Sequence, residues 1–383
     1  MAFYLPLFIV CLFFFFTRHP QPAFEAQTID NNISIGYGLA IGDVDGDKKP
    51  DILLADKKQF VWYRNGDWKR FVMVDNLTEH DNVCIAARDL DGDGKVEVAV
   101  GAQWNPGETT NAEQSGSVHY LIRPSDPTQL WKPIELHHEP TVHRMRWVKG
   151  LNGKNYLVVV PLHGRGNKNG EGEGVRILAY EFPKNVTGAW GIDTLEKSMH
   201  LTHNFEVIES KNNNKLYLGG KEGITIVQDE RGKWLPGKMQ KLSGMERGVG
   251  EIRIGRWAPA KEFITTIEPM HGDEVVVYLP GESKRVVIDN NVKEGHGLAV
   301  ADLLGAGSDQ VVAGWRVPNK EGKVGIKLYT KKDANGEQWT AQWIDDNGMA
   351  CEDLKIADLN GDGKPDIIAA GRATHNLKVY WNK

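Results

Sequence analysis

Apolar and polar positions along this chain are grouped in blocks too short for helices. A short, largely apolar run enters a polar turn, and a second apolar run leaves it, most cleanly at 357–371. The same order recurs at 42–54, at 88–100 and, in worn form, at 301–312. Recurrence at this period is the mark of a repeat architecture. Aligned on the turn, seven first strands are predicted, at 37–42, 83–88, 143–149, 203–209, 250–255, 296–301 and 352–357. The third and fourth turns have lost their carboxylates but keep their length and their Asn and Gly, residues that tolerate left-handed backbone.

A second apolar strand follows each turn, at 52–55, 98–102, 156–161, 216–219, 263–267, 311–314 and 367–370. A third, rich in β-branched and aromatic residues, comes next at 60–63, 118–122, 175–180, 224–227, 275–278, 326–329 and 377–381. More polar fourth strands, such as 69–74 and 285–288, lead into the following repeat. Four strands taken seven times predict an all-β fold, a seven-bladed β-propeller. The chain ends just after a third strand, and 24–32 resembles the fourth strand at 284–291. The N-terminal segment is therefore expected to complete the last blade and cover an otherwise open sheet edge. Two insertions, 104–116 and 164–174, lengthen the connection between second and third strands; loops of this length are often functional.

Composition narrows the function classes. The net charge of -5 over 383 residues offers no basic field for nucleic acid. Residues Ala2 to Phe16 are almost wholly apolar, the length of a signal-peptide core and short for a membrane span. The expected organisation is a signal peptide at 1–22 and a propeller at 23–383, secreted or periplasmic, with no stable membrane span once the signal is removed. Beyond Cys11 in the leader only Cys84 and Cys351 are present, too few for a disulfide framework.

Three turns are dense in carboxylates: Asp43, Asp45, Asp47 and Asp51; Asp89, Asp91, Asp93 and Glu97; Asp358, Asn360, Asp362 and Asp366. Each set occupies turn positions one, three, five and nine. Alternate oxygen donors in a tight loop suit Ca²⁺. The same side chains also suit hydrogen bonds to their own turn backbone, and either role is structural.

In a propeller the first strands line the central channel, so their starting residues face one another at one mouth. Those positions hold Tyr37, Asn82, His143 with Arg144, His203, Glu251, His296 and Glu352. The loops between second and third strands open at the same mouth and add Trp104, His163, Arg165, His271, Trp315, Arg316, Arg372 and His375, while His80 and His138 lie just upstream of two first strands. Imidazoles, carboxylates and guanidiniums gathered from separate repeats make a candidate small-molecule site. His143, His203 and His271 form the expected divalent-metal set, Zn²⁺ or Mg²⁺, able to polarise a ketone. His296, Tyr37 or Glu352 is the expected base, with Arg144 and His80 in the same catalytic group. His163, Arg165, Arg316, Arg372 and His375 are expected to bind substrate, and Trp104 and Trp315 to offer flat faces to a sugar ring.

The turns and their apolar flanks resemble FG-GAP/VCBS repeats of integrin-type and secreted bacterial propellers, which implies the propeller fold and loops that often hold Ca²⁺. The mouth resembles the propeller part of aldos-2-ulose dehydratase in 138–147, 295–302 and 371–376. That resemblance implies a carbon–oxygen lyase acting on a keto sugar or a uronic-acid saccharide, and it does not extend to the cupin domains of that enzyme. A non-catalytic propeller binding carbohydrate or protein through the same rim is the alternative.

Overall fold

In the computed structural model, which describes residues 23–240, 242–281 and 284–383, seven four-stranded antiparallel sheets form a closed ring. The proposed signal peptide lies outside the described residues. The first strands, in blade order, are Gly38–Gly42, Cys84–Arg88, Val142–Lys149, Thr202–Ile208, Glu251–Ala258, Gly295–Ala301 and Cys351–Ala357. Consecutive first strands touch all the way round, the seventh meeting the first. Closure follows the sequence expectation: Phe24–Asp30 pairs antiparallel with Asn376–Asn382 as the outer strand of the seventh sheet. This pairing joins the two ends of the chain and leaves no bare third strand at the edge of the last blade.

Each blade is buried on both faces, which explains why second strands read as unbroken apolar runs rather than alternating ones. Asp51–Ala55 is buried at every position, as are Glu97–Ala102 and Asp366–Gly371. The core is accordingly divided into packets between neighbouring blades. Leu53, Phe60 and Trp62 of the first blade pack against Ile85, Val98 and Val100 of the second. Leu39, Ile52 and Leu54 pack against Ile368 and Val379 of the seventh, sealing the ring. A fully buried side chain of this kind contributes about 1.5–3 kcal/mol. The turns feed the same packets, because the residue at turn position two is apolar and buried in Val44, Leu303 and Leu359.

The insertion at 104–116 carries one 3₁₀ turn, Ala112–Gln114. It is fastened to the insertion at 164–174, where Arg165 donates to the Thr110 carbonyl and the Gly166 N–H to the Thr109 carbonyl. Among the described residues no helix is long and apolar enough to cross a membrane.

Candidate functional site at the channel mouth

Four first strands carry an irregularity at the mouth that the other three lack. The pairing between first and second strands slips by one residue between Val142 and Arg144, between Thr202 and Phe205, between Gly295 and Gly297, and between Cys351 and Asp353. The bulges therefore fall on His143, on His203 with Asn204, on His296 and on Glu352. A β-bulge frees one residue from the ladder and re-aims its side chain. In the sixth blade the bulge is followed by Gly297, whose Cα lies so close to the seventh blade that a Cβ would come within 2.7 Å of Cys351 Sγ.

The freed histidines are held in a common way, each by the neighbouring blade. His143 Nδ1 bonds the His203 carbonyl at 2.9 Å, His203 Nδ1 the Gly250 carbonyl at 3.2 Å, and His296 Nδ1 the Glu352 carbonyl. A carbonyl only accepts, so Nδ1 carries the proton in all three rings and Nε2 presents a lone pair. His203 Nε2 lies 2.8 Å from Nε2 of His271, a residue in left-handed backbone with φ +51. The proton in that contact belongs to His271. Ring centroids of His203, His271 and His296 are 4.7–5.2 Å apart, and one ligand nitrogen from each lies within 4.8 Å of the others.

The imidazoles are neutral. Burial, then the charges of Arg144 and His203, pushes His143 well below its ordinary value; burial, then Arg316 and His203, does the same to His296. His271 is lowered to about 2 by burial and then by His203 and Arg316. His203 is lowered by burial against the opposing pull of Glu251. Burial would raise the Glu251 carboxyl, but the His203 hydrogen bond and Arg253 outweigh it and hold it low. Three neutral nitrogens, two of them fixed in tautomer by a carbonyl behind the ring, fit a divalent ion that accepts imidazole. The all-nitrogen set suits Zn²⁺ and not Mg²⁺, which takes oxygen.

The grouping differs from the sequence expectation, which joined His143 to His203 and His271. His296 completes the trio. His143 stands beside it, its ring 4.9 Å from that of His203 and stacked at 5.0 Å on Trp104. Glu352 is not an open base: Arg316 contacts both of its oxygens at 2.8–2.9 Å and Arg372 contacts one at 3.0 Å. The Tyr37 hydroxyl donates to Asp81 at 3.1 Å, and burial with the Asp81 charge raises its pKa, so it is a phenol rather than a phenolate. Arg372 lies over the Tyr37 ring at 5.5 Å. Arg144 lines a cavity of about 480 Å³ that runs down the channel. The bidentate Arg88–Glu209 pair, at 2.6 and 2.9 Å, borders the same cavity.

Other expected rim residues are engaged elsewhere. Trp315 is fully buried in the packet shared by the fifth and sixth blades and donates Nε1–H to the Lys323 carbonyl, so it presents no face to a sugar. Arg165 is spent on buried Glu139. His375 is exposed and bonds the Ser34 carbonyl at 2.9 Å, and His80 is anchored through its backbone N–H to Gln103. His163 is half-buried, its Nδ1 enclosed without a hydrogen bond and its pKa lowered by burial.

At the opposite end the carboxylates of the turns are occupied by their own backbone. Asp43 accepts from Gly46 and Lys48 at 2.6 and 2.7 Å, Asp89 from Gly92 and Gly94 at 2.7 and 3.0 Å, Asp358 from Gly361 and Gly363 at 2.7 and 2.8 Å. Asp45, Asp47, Asp91, Asp93, Asn360 and Asp362 each accept from the N–H two residues on. Asp51, Glu97 and Asp366 reach back to the N–H at turn position two. Two groups still draw oxygens together, Asp43 with Asp45 and Asp51, and Asp89 with Asp91 and Glu97. Burial raises Asp51 and Glu97 to about 7 each.

Residues 29–100 match the FG-GAP-like repeat and residues 85–121 the FG-GAP repeat. Residues 115–280 match the aldos-2-ulose dehydratase β-propeller domain, a span that holds His143, His203 and His271 and stops short of His296. The chain thus resembles FG-GAP propellers and, over its middle blades, that dehydratase propeller. No curated protein matches it. Among solved structures it is similar to the WD40 propeller domain of Doa1, with TM-score 0.56, 10% identity, and 95% of this chain and 98% of that one covered. YCF48 bound to D1 peptide gives 0.57 at 13%, covering 95% and 96%. The extracellular domain of the putative one component system BT4673 from B. thetaiotaomicron gives 0.52 at 14%, covering 94% of this chain and 40% of that one. Likeness at such identities concerns the fold alone.

Proposed function

We propose that the channel mouth is the active site of a carbon–oxygen lyase acting on a carbonyl-bearing sugar, with a divalent ion, Zn²⁺ by its donor chemistry, held by His203, His271 and His296. The observation that carries this reading is the convergence of one imidazole nitrogen from each of three blades, supported by the match of the middle blades to a dehydratase propeller. A bound ion of this type polarises a carbonyl and so acidifies the adjoining C–H. His143, whose Nε2 is outside the trio, takes that proton. The C–H electron pair becomes the new C=C bond and the β-oxygen group departs. The Tyr37 hydroxyl returns a proton to the departing oxygen, so hydroxide leaves as water. Glu352 holds Arg316 and Arg372 at the rim, where they stabilise the enolate oxygen.

The test is ultraviolet absorbance of a conjugated enone when zinc-loaded protein meets keto sugars. Wild type produces it; His143→Ala is slower by about 100-fold, the scale of a lost general base. Saturable sugar binding with no enone at any zinc level sinks the lyase reading and leaves the alternative, a non-catalytic propeller binding carbohydrate or protein at this rim. We also propose export, on the apolar run 2–16, and structural Ca²⁺ in the first two carboxylate turns, where a cation would relieve the crowding around Asp51 and Glu97.

A further inference from the structure

Six arginines line or flank the channel, and five of them have a carboxylate partner. Arg146 faces Glu206 at 3.6 Å, Arg253 faces the same Glu206 at 3.5 Å, and Arg88 is paired with Glu209. Arg316 and Arg372 share Glu352. Arg144 has none among the described residues. Its hydrogen bond runs from Nη1 to the carbonyl of His143 at 3.0 Å, leaving most of five N–H donors unspent. Two carboxylates of the channel, one of them (Glu251) within electrostatic reach of Arg144, have their contacts elsewhere. Asp353, on the same cavity wall, is held by Lys355 at 2.8 Å and by the Leu39 N–H at 2.8 Å; Glu251 is held by Asn204 at 2.7 Å.

A half-buried guanidinium that touches no carboxylate has given up hydration that one carbonyl bond replaces only in part. It stands one residue from His143 and on the wall of a cavity roomy enough for a monosaccharide, whose lining takes in Tyr37 and Asn204 but none of the histidines. The planar fork matches a carboxylate, which accepts two parallel N–H bonds. We propose that Arg144 is the anion-binding residue of this site and that its sugar ligand carries a carboxylate, making it a uronic acid rather than a neutral sugar. This deepens the lyase reading and rests on its placement of sugar at the mouth.

The experiment titrates glucuronate, its uncharged methyl ester and glucose into the full-length protein by calorimetry. A charge-assisted bidentate contact predicts that glucuronate binds about ten-fold or more tightly than ester or glucose. Arg144→Gln removes that advantage and leaves ester and glucose unchanged, and Arg144→Lys keeps part of it. Equal affinity of acid and ester in the wild type overturns the proposal, with no variant needed; so does an acid preference that survives Arg144→Gln, or no binding of any of the three sugars. Zinc titration in parallel separates the two readings. Acid preference without zinc binding sinks the lyase and spares Arg144; zinc binding with enone formed from neutral keto sugars and no acid preference does the reverse.

Discussion

The two ends of the ring treat polar side chains in opposite ways. At the turn end, carboxylate oxygens are consumed mostly by backbone N–H groups two to seven residues away, and the worn sixth turn does the same with Asp302. Asp302 accepts from Ala306 and Gly307 at 2.7 and 2.8 Å, matching Asp358. At the mouth three histidines are held from the next blade: His143 depends on the fourth blade, His203 on the fifth and His296 on the seventh, each through Nδ1. Local satisfaction makes a latch that holds two strands together. Satisfaction from the neighbouring blade suits the proposed ligand set, because a carbonyl behind the ring fixes its tautomer and orientation.

The largest effect that distinguishes the ends is on zinc. His203→Ala and His296→Ala are each expected to weaken Zn²⁺ binding by about 100-fold or more, read by competition with a chromophoric chelator, since each removes a proposed ligand. His143→Ala is expected to cost less than about ten-fold, and Asp358→Asn nothing beyond error, because neither residue is a ligand of the trio. Equal losses at the mouth and in the turn, or a His143 loss as large as that of His296, would break the distinction.

How the sequence bears on each end follows from what sets the geometry. Blades were legible because a strand buried on both faces must be apolar throughout, and because Asn, Gly and Asp mark the turns. Closure by 24–30 was legible from a strand lacking a place. The identity of the mouth residues was legible from their register, but their grouping was not. His143 and His296 occupy equivalent strand positions and both lie beside His203; what separates them is the second ring, Trp104 for His143 and His271 for His296. Bulges leave no compositional mark, so the re-aiming at Glu352 was hidden, as was its capture by two arginines. Trp315 ends a second strand at the level of the rim, yet its face turns between blades, where an indole is worth more buried. Glu251 stood in the series of channel residues, and its hold on Asn204 and Arg253 came only from side-chain packing.

A buried histidine outside both regions sharpens the contrast by supplying a control. His119, in Ser117–Ile122 of the second blade, is 7% exposed, its Nδ1 has no hydrogen bond, and burial followed by His138 lowers it to about 4. Its folded pKa is below the unfolded value near 6.5, so the unfolded chain binds the extra proton first. Stability from this group is intact above pH 6.5 and is lost as pH falls towards 4, by about 3 kcal/mol in all. His119→Phe is expected to flatten that part of the urea-midpoint profile between pH 6.5 and 4. An unchanged slope in the variant would assign the acid sensitivity elsewhere.

The smallest effect concerns the latch itself. Asp302→Ala removes two N–H acceptors in the worn turn, and Asp358→Ala removes the same two in an intact one. These are partly exposed, so each substitution is expected to cost about 1–2 kcal/mol, the scale of hydrogen bonds to a charged group discounted for solvent. If hydrogen bonding within the protein is all the turns do, neither loss in urea melts changes with chelator, and the two differ only by the exposed Arg256 contact to Asp302, worth under about 1 kcal/mol. Calcium changes the arithmetic in the first two blades, because a bound ion adds RT ln(1 + [L]/Kd) to the folded state. Asp89→Ala would then cost more than Asp302→Ala in calcium, and chelator would erase the excess. Matched losses at Asp89 and Asp302 in both media mean that the turns are held by their own amides and sink the proposed calcium.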